Sequence, residues 1–324
     1  MYHIIVNPAS RSGKGGLIWK ELEPVLKERN LEYEVLFSKE SGHAAELVSE
    51  LSKAHPEASP DAPLKLLVLG GDGTFNEVLQ GISDFNVFQI GYIPSGSSND
   101  LARDLNLPSN PHDCLNNILD CKTPYRMDLG CVTYNNTSGE LSRLHGTTIM
   151  NPRYFDVSSG IGYDAAICEE ALASPIKKVL NRFGLGKLVY LIISLKQLIT
   201  TKAKDATLIL DDKTEIKLPN LLFAAFMIHR YEGGGFMFAP DADCTDGVID
   251  ICAVSNISKP AVLATLPKAL KGKHFNRKGI EKYSASKIEI TVSEPYWVHT
   301  DGEVSVKSSS LTITCIKEAI NLLK

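Results

Sequence analysis

The sequence predicts two domains, an α/β domain with a parallel sheet followed by an all-β domain that forms a sandwich. The length of 324 residues is typical of about two domains. In the first third of the chain, short apolar runs alternate with helix-like stretches, and this alternation implies a parallel sheet covered on both faces. Beyond about Asp128, strand-like runs separated by turn signals dominate, which is typical of antiparallel sandwiches and barrels.

The first domain is predicted to span residues 1–128, with strands and helices in alternation. The predicted strands are Tyr2–Val6, Glu32–Phe37, Lys65–Leu69 and Phe88–Tyr92. The predicted helices are Leu17–Arg29, His43–His55, Phe75–Ile82, Asn99–Leu105 and Asp113–Cys121. Ligands of such sheets bind beyond the carboxyl ends of the strands, so a site is expected in the loops that follow them.

The second domain is predicted to span residues 129–316, and residues 317–324 are predicted to form a terminal helix that folds back onto the first domain. Two helical insertions, Pro175–Thr201 and Pro260–Leu270, interrupt its strands. The strand-like runs are Gly130–Tyr134, Arg143–Ile149, Leu208–Leu210, Leu221–Ile228, Val248–Ala253, Lys287–Val292, Tyr296–His299 and Leu311–Cys315.

The composition predicts a cytoplasmic globular protein, with 44% hydrophobic and 22% charged residues. A net charge of −4 gives no general attraction to nucleic acid, so no nucleic-acid partner is expected. The 7 cysteines form no C-x-x-C pair, which argues against a disulfide framework or a structural zinc site and indicates a reducing compartment. The first residues have the pattern of a strand and not of a signal peptide, and the most apolar stretch, Leu188–Leu195, is too short to span a bilayer.

The most informative segment is Gly70–Gly73, with the sequence Gly-Gly-Asp-Gly, because it lies between a predicted strand and a predicted helix. Glycines at such a turn let the backbone approach a ligand, and the amide groups of a helix N-terminus attract phosphate. Thr74 is placed to cap the helix. The carboxylate of Asp72 would repel a phosphate unless a metal ion or a proton lay between them. The segment therefore indicates phosphate chemistry with a divalent cation.

The loops after the other predicted strands are rich in small and hydroxylated residues. The first of them, Asn7–Gly16, is not a P-loop, because its lysine is followed by glycine and not by serine or threonine. It offers Arg11 and Lys14 to a phosphate, and a flexible turn before a helix is an equally good interpretation. The loops Ser38–His43 and Pro94–Asp100 supply further hydroxyl groups at helix starts. Because four consecutive strand ends carry such loops, one nucleotide cradle explains them together.

Taken in order along the chain, these segments resemble the diacylglycerol kinase catalytic-domain family, which includes bacterial lipid kinases and sphingosine kinases. The resemblance spans nearly the whole chain. It implies an N-terminal α/β domain related to those of NAD kinases and phosphofructokinases, a C-terminal β-sandwich, and ATP in the cleft between them. The matching segments are Asn7-Pro8, Gly70–Thr74 with Asn76-Glu77, Pro94–Asp100, Gly160–Asp164, Asp246-Gly247 and Asp301–Glu303.

The resemblance also implies which residues contact the nucleotide. Two of them, Ser38 and Ser97, stand where threonine is common in the family, so a hydroxyl is kept and only a methyl contact is lost. By position, the implied contacts fall on Asn7, Pro8, Ala9, Ser10, Arg11, Ser38, Gly71, Asp72, Gly73, Thr74, Phe75, Asn76, Glu77 and Ser97.

Phosphoryl transfer needs in-line positioning, cancellation of phosphate charge, and a group that takes the proton of the attacking hydroxyl. Glu303 is predicted to be this base, because Asp301-Gly302 makes a tight turn that projects the next side chain and because the family's base falls on this position. The motif alone favours a solvent-facing acid after a hairpin. Asp72 is predicted to act in catalysis through Mg²⁺, which a single carboxylate holds through water, with a helix-cap role as the alternative.

A second candidate metal site lies in the acidic segment Asp241–Val248, whose spacing does not fit an EF-hand loop. The resemblance implies a structural Mg²⁺ here, bound by the side chain of Asp246 and by main-chain groups of Asp243 and Val248. Through water this ion would connect to the ATP site near Asp72. An acidic surface turn is the alternative interpretation.

A lipid substrate would bring part of the protein to a membrane surface. One candidate patch is Lys268–Lys278, with five Lys/Arg and no acid, where each basic residue near an anionic surface contributes about 1 kcal/mol. The other runs from Lys177-Lys178 to Lys187 and leads into the apolar stretch Leu188–Ile193. A solvated charge run and a core helix are the alternatives. Neither patch identifies the lipid.

The sequence thus predicts an ATP- and Mg²⁺-dependent kinase acting on a lipid hydroxyl, with diacylglycerol favoured as acceptor and with peripheral membrane contact. NAD kinases share the glycine–aspartate turn, but their Asn-Glu pair comes well downstream, whereas Asn76-Glu77 follows at once here. A regulator that binds nucleotide or lipid without turnover is a third alternative, and the intact set of Asp72, Asp246 and Glu303 counts against it. Family members often pair, so a homodimer is an implied assembly.

Overall fold

The computed structural model describes residues 1–135, 151–173 and 186–324, and the chain divides into two compact units. Unit 1 comprises Met1–Leu129, Cys244–Gly247 and Ile316–Lys324, and unit 2 comprises Gly130–Asp243 and Val248–Cys315. Unit 1 therefore takes in one short segment, residues 244–247, from within the range that the sequence assigns to the second domain. The predicted strand Arg143–Ile149 and the first part of the predicted helix Pro175–Thr201, with Lys177 and Lys178, lie outside the described residues.

Unit 1 is built on a parallel sheet in the order β2-β1-β3-β4. Its strands are β1 (Tyr2–Val6), β2 (Tyr33–Phe37), β3 (Leu64–Gly70) and β4 (Phe88–Pro94). Neighbouring residues of a strand point to opposite faces of the sheet, and Ile4 and Ile5 of β1 are both buried. Both faces of the sheet are therefore covered.

The helices of unit 1 cover the two faces of this sheet. They are α1 (Ser10–Glu28), α2 (His43–Ala54), α3 (Asp72–Gly81), α4 (Asp100–Asp104) and α5 (Pro111–Asp120). On one face, Trp19, Leu22 and Leu26 of α1 form a core with Leu115 and Ile118 of α5 and with side chains of β1 and β3. Elsewhere α2 packs closely on α3, where a Cβ added to Gly81 would lie 2.3 Å from the carbonyl oxygen of Ala45.

The prediction of a terminal helix over residues 317–324 is wrong. The chain instead forms β13 (Glu303–Leu323), whose last residues pair in parallel with β4, with Leu322 opposite Ile90. Ile320 and Leu322 are fully buried and Asn321 between them is not, which is the alternation of a strand. The free edge of β4 decides the outcome, because pairing with it satisfies the backbone and overrides the local preference for a helix.

Unit 2 is built on a mostly antiparallel sheet in which β11, β10, β9, β7, β12 and the first part of β13 are neighbours in that order. β8 pairs with both β9 and β12, and β5 pairs with β6. The described strands are β5 (Tyr125–Tyr134), β6 (Arg153–Phe155), β7 (Ser158–Gly162), β8 (Lys204–Leu210), β9 (Thr214–Met227), β10 (Ile249–Ser255), β11 (Ile280–Ala285) and β12 (Lys287–Thr300).

Two predicted strands of the second domain, Lys287–Val292 and Tyr296–His299, are one strand, β12, interrupted by a register shift between Thr291 and Tyr296. Strands β6, β7 and β11 were not predicted. β7 reads Ser-Ser-Gly-Ile-Gly, in which Ile161 is the one β-branched residue and no residue is aromatic, so its strand signal is weak, although all five of its residues are buried.

The described helices of unit 2 are α6 (Tyr163–Ala173), α7 (Gly186–Thr200) and α8 (Lys259–Ala269). Their inner sides and the sheet enclose a core that includes Phe223, Met227, Cys252 and Val254. Within the part of the chain that the structure describes, no helix is both long and apolar enough to cross a bilayer.

Candidate functional site

The carboxyl ends of the parallel strands of unit 1 lie at one edge of the sheet. Val6 at the end of β1 is in register with Phe37 of β2 and Leu69 of β3, and Gly70 is in register with Pro94 of β4. The loops that follow these four strands therefore start side by side. The sequence placed its candidate nucleotide residues in these same loops.

Hydrogen bonds between side chains join the loops to one another. The Nδ2 of Asn7, after β1, donates to the Oγ1 of Thr74 in α3 at 2.9 Å. The hydroxyl of Ser10 lies 2.7 Å from that of Ser95, which follows β4. These contacts tie the first and fourth loops to the glycine-aspartate turn and form one continuous polar surface, which we call the strand-end cradle (Asn7–Ser10, Ser38, Gly71–Thr74 and Ser95–Asp100).

Two glycines of the cradle are needed because their backbones nearly touch. A Cβ added to Gly96 would lie 2.7 Å from the Cα of Gly71, and one added to Gly71 would lie 3.1 Å from the Cα of Gly96. Both distances are shorter than ordinary carbon–carbon contacts, so side chains here would push the third and fourth loops apart. The glycines therefore allow the third and fourth loops to pack against each other.

Asp72 is the first residue of α3 and is half-buried. Its Oδ1 accepts from the hydroxyl of Tyr92 at 3.4 Å, and its Oδ2 accepts from the backbone N–H of Asp100 at 3.2 Å. The carboxylate is thereby held at the positive end of the helix, where a negative side chain is stabilised.

The prediction that Thr74 caps this helix is wrong. The helix begins at Asp72, and the residue before it, Gly71, makes no side-chain cap. Thr74 lies inside the first turn with only 6% of its surface exposed, and its hydroxyl accepts from Asn7. The long-range partner Asn7 decides this arrangement, and local sequence rules for caps do not include such partners.

The loop that opens α1 has an unusual backbone. Arg11 and Ser12 have φ values of 46° and 60°, and Gly13 has 95°, so three successive residues lie in the left-handed region. Such conformations cost about 1–2 kcal/mol for a residue with a side chain and are concentrated at functional sites. Arg11 and Lys14 are both exposed here. Two cations thus stand next to the strand-end cradle.

The resemblance assigns several residues to nucleotide contact whose side chains have structural roles in unit 1. Phe75 is fully buried and packs on Tyr92 with ring centroids 4.9 Å apart, and Asn76 is fully buried too. The Glu77 carboxylate accepts from the Ser41 hydroxyl at 3.2 Å and from the Ala44 N–H at 3.4 Å, which fixes the start of α2.

The remaining assigned residues differ in exposure. Ser38 is 8% exposed, and its backbone N–H donates to the carbonyl of Val6. Pro8 is half-buried, and Ala9 and Ser97 are exposed at the cradle surface.

Glu303 follows a two-residue hairpin turn between β12 and β13 in unit 2. Thr300 and Glu303 are paired, and Asp301 and Gly302 between them have φ values of 48° and 79°. The Asp301 carboxylate accepts from the backbone N–H groups of Asp156, Val157 and Ser158 at 3.0, 2.9 and 2.9 Å. A tight turn is thus present as predicted, and its aspartate fastens it to the start of β7.

A buried set of ionisable side chains that sequence reasoning did not identify lies next to this hairpin. The Nε2 of His299 is 3.4 Å from Asp164 and 3.3 Å from Glu232. Asp164 ends a segment quoted for the family resemblance, whereas nothing in the sequence connects Glu232 to either partner.

The acidic segment before β10 is divided between the two units. Asp243 and Val248 belong to unit 2, whereas Asp246 belongs to unit 1. The three predicted ligands of the second metal ion are therefore divided between the units. Within unit 1, the fully buried Asp128 accepts from the N–H groups of Gly247 and Glu318, each at 2.7 Å. Asp128 is a second residue that sequence reasoning missed, and it holds the segment beside Asp246 in place.

Comparison with known proteins gives the family. Residues 1–132 match the family profile described as the diacylglycerol kinase catalytic domain, and residues 157–324 match the YegS C-terminal NAD kinase beta sandwich-like domain. The chain belongs to this family of diacylglycerol and lipid kinases. Both the predicted family and the predicted fold class, an α/β domain followed by a β-sandwich domain, are confirmed.

Individual relatives agree with this assignment. A Bacillus subtilis (strain 168) protein named "Putative lipid kinase YtlR" is 27% identical over 306 residues, which cover 94% of this chain and 93% of that protein. The diacylglycerol kinase of the same organism is 26% identical over 302 residues, with 93% and 88% covered. A crystal structure from Bacillus anthracis str. Sterne superimposes with a TM-score of 0.73 over 99% of this chain and 96% of that chain, at 21% identity, and so shares the fold.

Proposed function

We propose that this protein is an ATP-dependent lipid kinase that transfers the γ-phosphate of ATP to a lipid hydroxyl, with diacylglycerol as substrate and phosphatidic acid as product. The observation that carries the proposal is the strand-end cradle, in which Asp72 stands at a helix N-terminus among loops from four parallel strands. The names of the relatives supply the acceptor class, since one is a diacylglycerol kinase and another is named as a lipid kinase.

The cradle suits the triphosphate of ATP. The first turn of α3 lies in the cradle, and the N-terminus of a helix favours anionic ligands such as phosphate. Arg11 and Lys14, both exposed beside the cradle, supply positive charge. Binding the phosphates here fixes the donor while its charge is partly neutralised.

The Asp72 carboxylate fits a role in holding Mg²⁺. Its two oxygens are oriented by Tyr92 and by the backbone of Asp100, so the side chain does not need to be ordered when the cation arrives. Mg²⁺ prefers oxygen ligands and keeps several waters, and when bound it would neutralise charge on the β- and γ-phosphates.

Glu303 is the proposed base that takes the proton from the lipid hydroxyl. The Asp301–Gly302 turn and the three backbone hydrogen bonds of the Asp301 carboxylate fix the strand from which its side chain projects. A carboxylate on such a rigid support is suited to accepting a proton in a fixed geometry. For the acidic segment of unit 1, we propose a structural Mg²⁺ with the side chain of Asp246 as a ligand.

The acceptor lipid must be reached at a membrane, and unit 2 has a surface suited to this. On α7, Leu191, Ile192, Leu195 and Ile199 are exposed, Ile199 to 75%, whereas Leu198 on the other side is buried. The positions 191, 195 and 199 lie four residues apart and so share one face of the helix. An exposed apolar helix face of this kind is typical of contact with a lipid surface.

Basic residues adjoin this apolar face. The Nζ of Lys259 donates to the carbonyls of Ile199 and Thr201 at 2.6 and 3.0 Å, so α8 begins where α7 ends. An open groove at α8 is lined by Lys268, Arg277 and Lys278 together with polar groups. We propose that these cations meet anionic lipid headgroups while α7 enters the interface.

An acceptor panel tests the proposal. The purified chain is incubated with γ-labelled ATP and Mg²⁺ in the presence of diacylglycerol, a sphingoid base, a sterol or NAD, each assayed separately. We expect label in diacylglycerol. Label in NAD would support the NAD kinase alternative, and ATP binding without label in any acceptor would support a regulator without turnover.

A further inference from the structure

Three ionisable side chains meet in the interior of unit 2 behind the hairpin that carries Glu303. They are Asp164 on α6, Glu232 after β9 and His299 on β12, which together we call the His299 cluster. The His299 side chain is 0% exposed, and those of Asp164 and Glu232 are 9% and 13% exposed. The reaction proposed above gives this cluster no role.

The hydrogen bond on the far side of the ring determines where His299 holds its proton. The backbone N–H of Gly302 donates to the Nδ1 of His299 at 3.2 Å. A nitrogen that accepts a hydrogen bond carries no proton, so the ring proton of the neutral imidazole lies on Nε2. Nε2 is the atom that faces both carboxyl groups, at 3.4 and 3.3 Å.

The charges of the cluster then require one more proton. A neutral imidazole beside two ionised carboxylates would leave two negative charges in a buried site, which is strongly unfavourable. Burial is the main cause that raises the pKa of the Asp164 carboxyl, and the nearby Glu232 adds to it. The Asp164 carboxyl therefore keeps a proton at neutral pH.

The pKa of His299 points to the same proton count. Burial lowers the pKa of the ring, but Cys168, Glu232 and Asp164 outweigh burial and raise it well above its ordinary value. An imidazolium with two carboxylates and a neutral imidazole with one protonated carboxyl have the same net charge. The two states differ only in which group holds one proton. The N–H of Gly302 excludes this proton from the Nδ1 of His299.

The other titratable groups that face the cluster do not balance its charge. Cys168 on α6 and Cys252 on β10 are thiols, and burial raises the pKa of Cys252, with Glu232 and Asp164 adding to the effect. Tyr296 on β12 is affected in the same way, chiefly by burial. Cys252 and Tyr296 are therefore neutral at physiological pH.

A metal ion is the other means of balancing two carboxylates, and the ring geometry opposes it. A cation bound to Nε2 of a neutral imidazole displaces the ring proton to Nδ1. There it would face the N–H of Gly302, which already points at Nδ1 from 3.2 Å. Two N–H donors cannot form a hydrogen bond with each other. This conformation of the hairpin therefore favours a proton over a metal ion in the cluster.

We propose that the Asp164 carboxyl keeps a proton beside Glu232 and the Nε2–H of His299, and that this cluster holds the Asp301–Gly302 turn in the conformation that positions Glu303. His299 is a positioning residue, since it acts on Glu303 through Gly302. The role of Glu303 rests on the proposed function, whereas the protonation state of the cluster does not.

Nitrogen NMR of the full-length protein tests the protonation state without any assay of activity. The His299 signals are identified by their loss in His299→Asn, and we expect the neutral Nε2–H form at pH 7. A doubly protonated ring or an Nδ1–H ring would overturn the proposal. Elemental analysis should find the same metal content in the wild-type protein and in His299→Asn. Loss of one equivalent of metal in the variant would also overturn the proposal.

Kinetics test the positioning role. Asn keeps an acceptor for the N–H of Gly302, whereas Leu does not, so His299→Leu should lower kcat roughly tenfold to a hundredfold with KM for ATP unchanged, and His299→Asn should lose less. The matched control His112→Leu, on α5 of unit 1, should leave kcat unchanged. Equal kcat in His299→Leu and wild type, with both folded, would overturn the positioning role.

The pH profile separates positioning from a merely structural role. As the pH rises, Asp164 loses its proton, a second negative charge develops in the interior, and kcat should fall. Glu232→Gln removes one carboxylate, so no second negative charge can develop and this fall should disappear, and identical profiles would overturn the proposal. An inactive wild-type protein would overturn the proposed function together with the positioning role, while NMR would still decide the protonation state.

Discussion

At the scale of single residues, the site depends on carboxylates that are oriented before any ligand arrives. Asp72 accepts from Tyr92 and from the backbone of Asp100, and Asp301 accepts from three backbone N–H groups. Such contacts reduce the entropy that is lost when a cation or a substrate binds. Each anchored aspartate lies within two residues of a residue that we place against the ligand, Gly71 or Glu303.

Asp72→Asn should lower turnover because an amide binds Mg²⁺ less well than a carboxylate does. Raising the Mg²⁺ concentration should restore the activity only in part, since the amide also changes the hydrogen bond from the N–H of Asp100. The measurement is kcat/KM for ATP as a function of Mg²⁺, with Asp113→Asn, an exposed acid on α5, as the control. Wild-type activity that persists in a strong chelator would contradict the role of the metal.

At the scale of secondary-structure elements, the cradle exists because two strand-to-helix loops come into backbone contact. Residues Gly71 and Gly96 make that contact. On unit 2, the corresponding functional element is α7, which presents an apolar face outward. The two elements are proposed to serve the donor and the acceptor respectively, so changes in them should affect different measurements.

Gly96→Ala should weaken ATP binding and destabilise unit 1, because its Cβ would lie 2.7 Å from the Cα of Gly71. A forced shift of this kind costs roughly 1–3 kcal/mol. Gly16→Ala is the matched control for stability, since its Cβ would meet Pro8 at an ordinary 3.5 Å. Thermal unfolding and ATP titration of both variants make the measurement, and equal values for Gly96→Ala and wild type would refute the close contact.

Replacing Ile192 and Ile199 together by serine should reduce binding to vesicles that contain anionic phospholipid, because both side chains are exposed on α7. Burying one such side chain in an apolar environment contributes about 1.5–3 kcal/mol, so the vesicle affinity should fall by more than tenfold. ATP affinity should not change. Leu17→Ser, at a leucine of α1 that is 59% exposed, is the control, and equal loss in that variant would show that α7 is not the contact surface.

At the scale of the whole molecule, the sequence predicted the features that depend on local patterns. The strand ends of unit 1, the cradle loops and the Asp301–Gly302 turn all have signatures within a few residues. The terminal strand has no such local signature, because its pairing with the distant strand β4 determines it. The role of Thr74 has none either, because it depends on the hydrogen bond from the distant Asn7. Glu232, Asp128 and His299 were missed for the same reason, since their partners are brought near only by the folded chain.

The most direct test of the whole account is the single-turnover rate of γ-phosphate transfer to diacylglycerol, compared between wild type and Glu303→Gln at equal occupancy by ATP. A general base contributes roughly 10²–10⁴-fold to the rate, so the account predicts a loss of that size with ATP affinity unchanged. The control Glu294→Gln, at an exposed acid of β12, should transfer phosphate at the wild-type rate. A Glu303→Gln protein that phosphorylates diacylglycerol as fast as wild type would contradict the account.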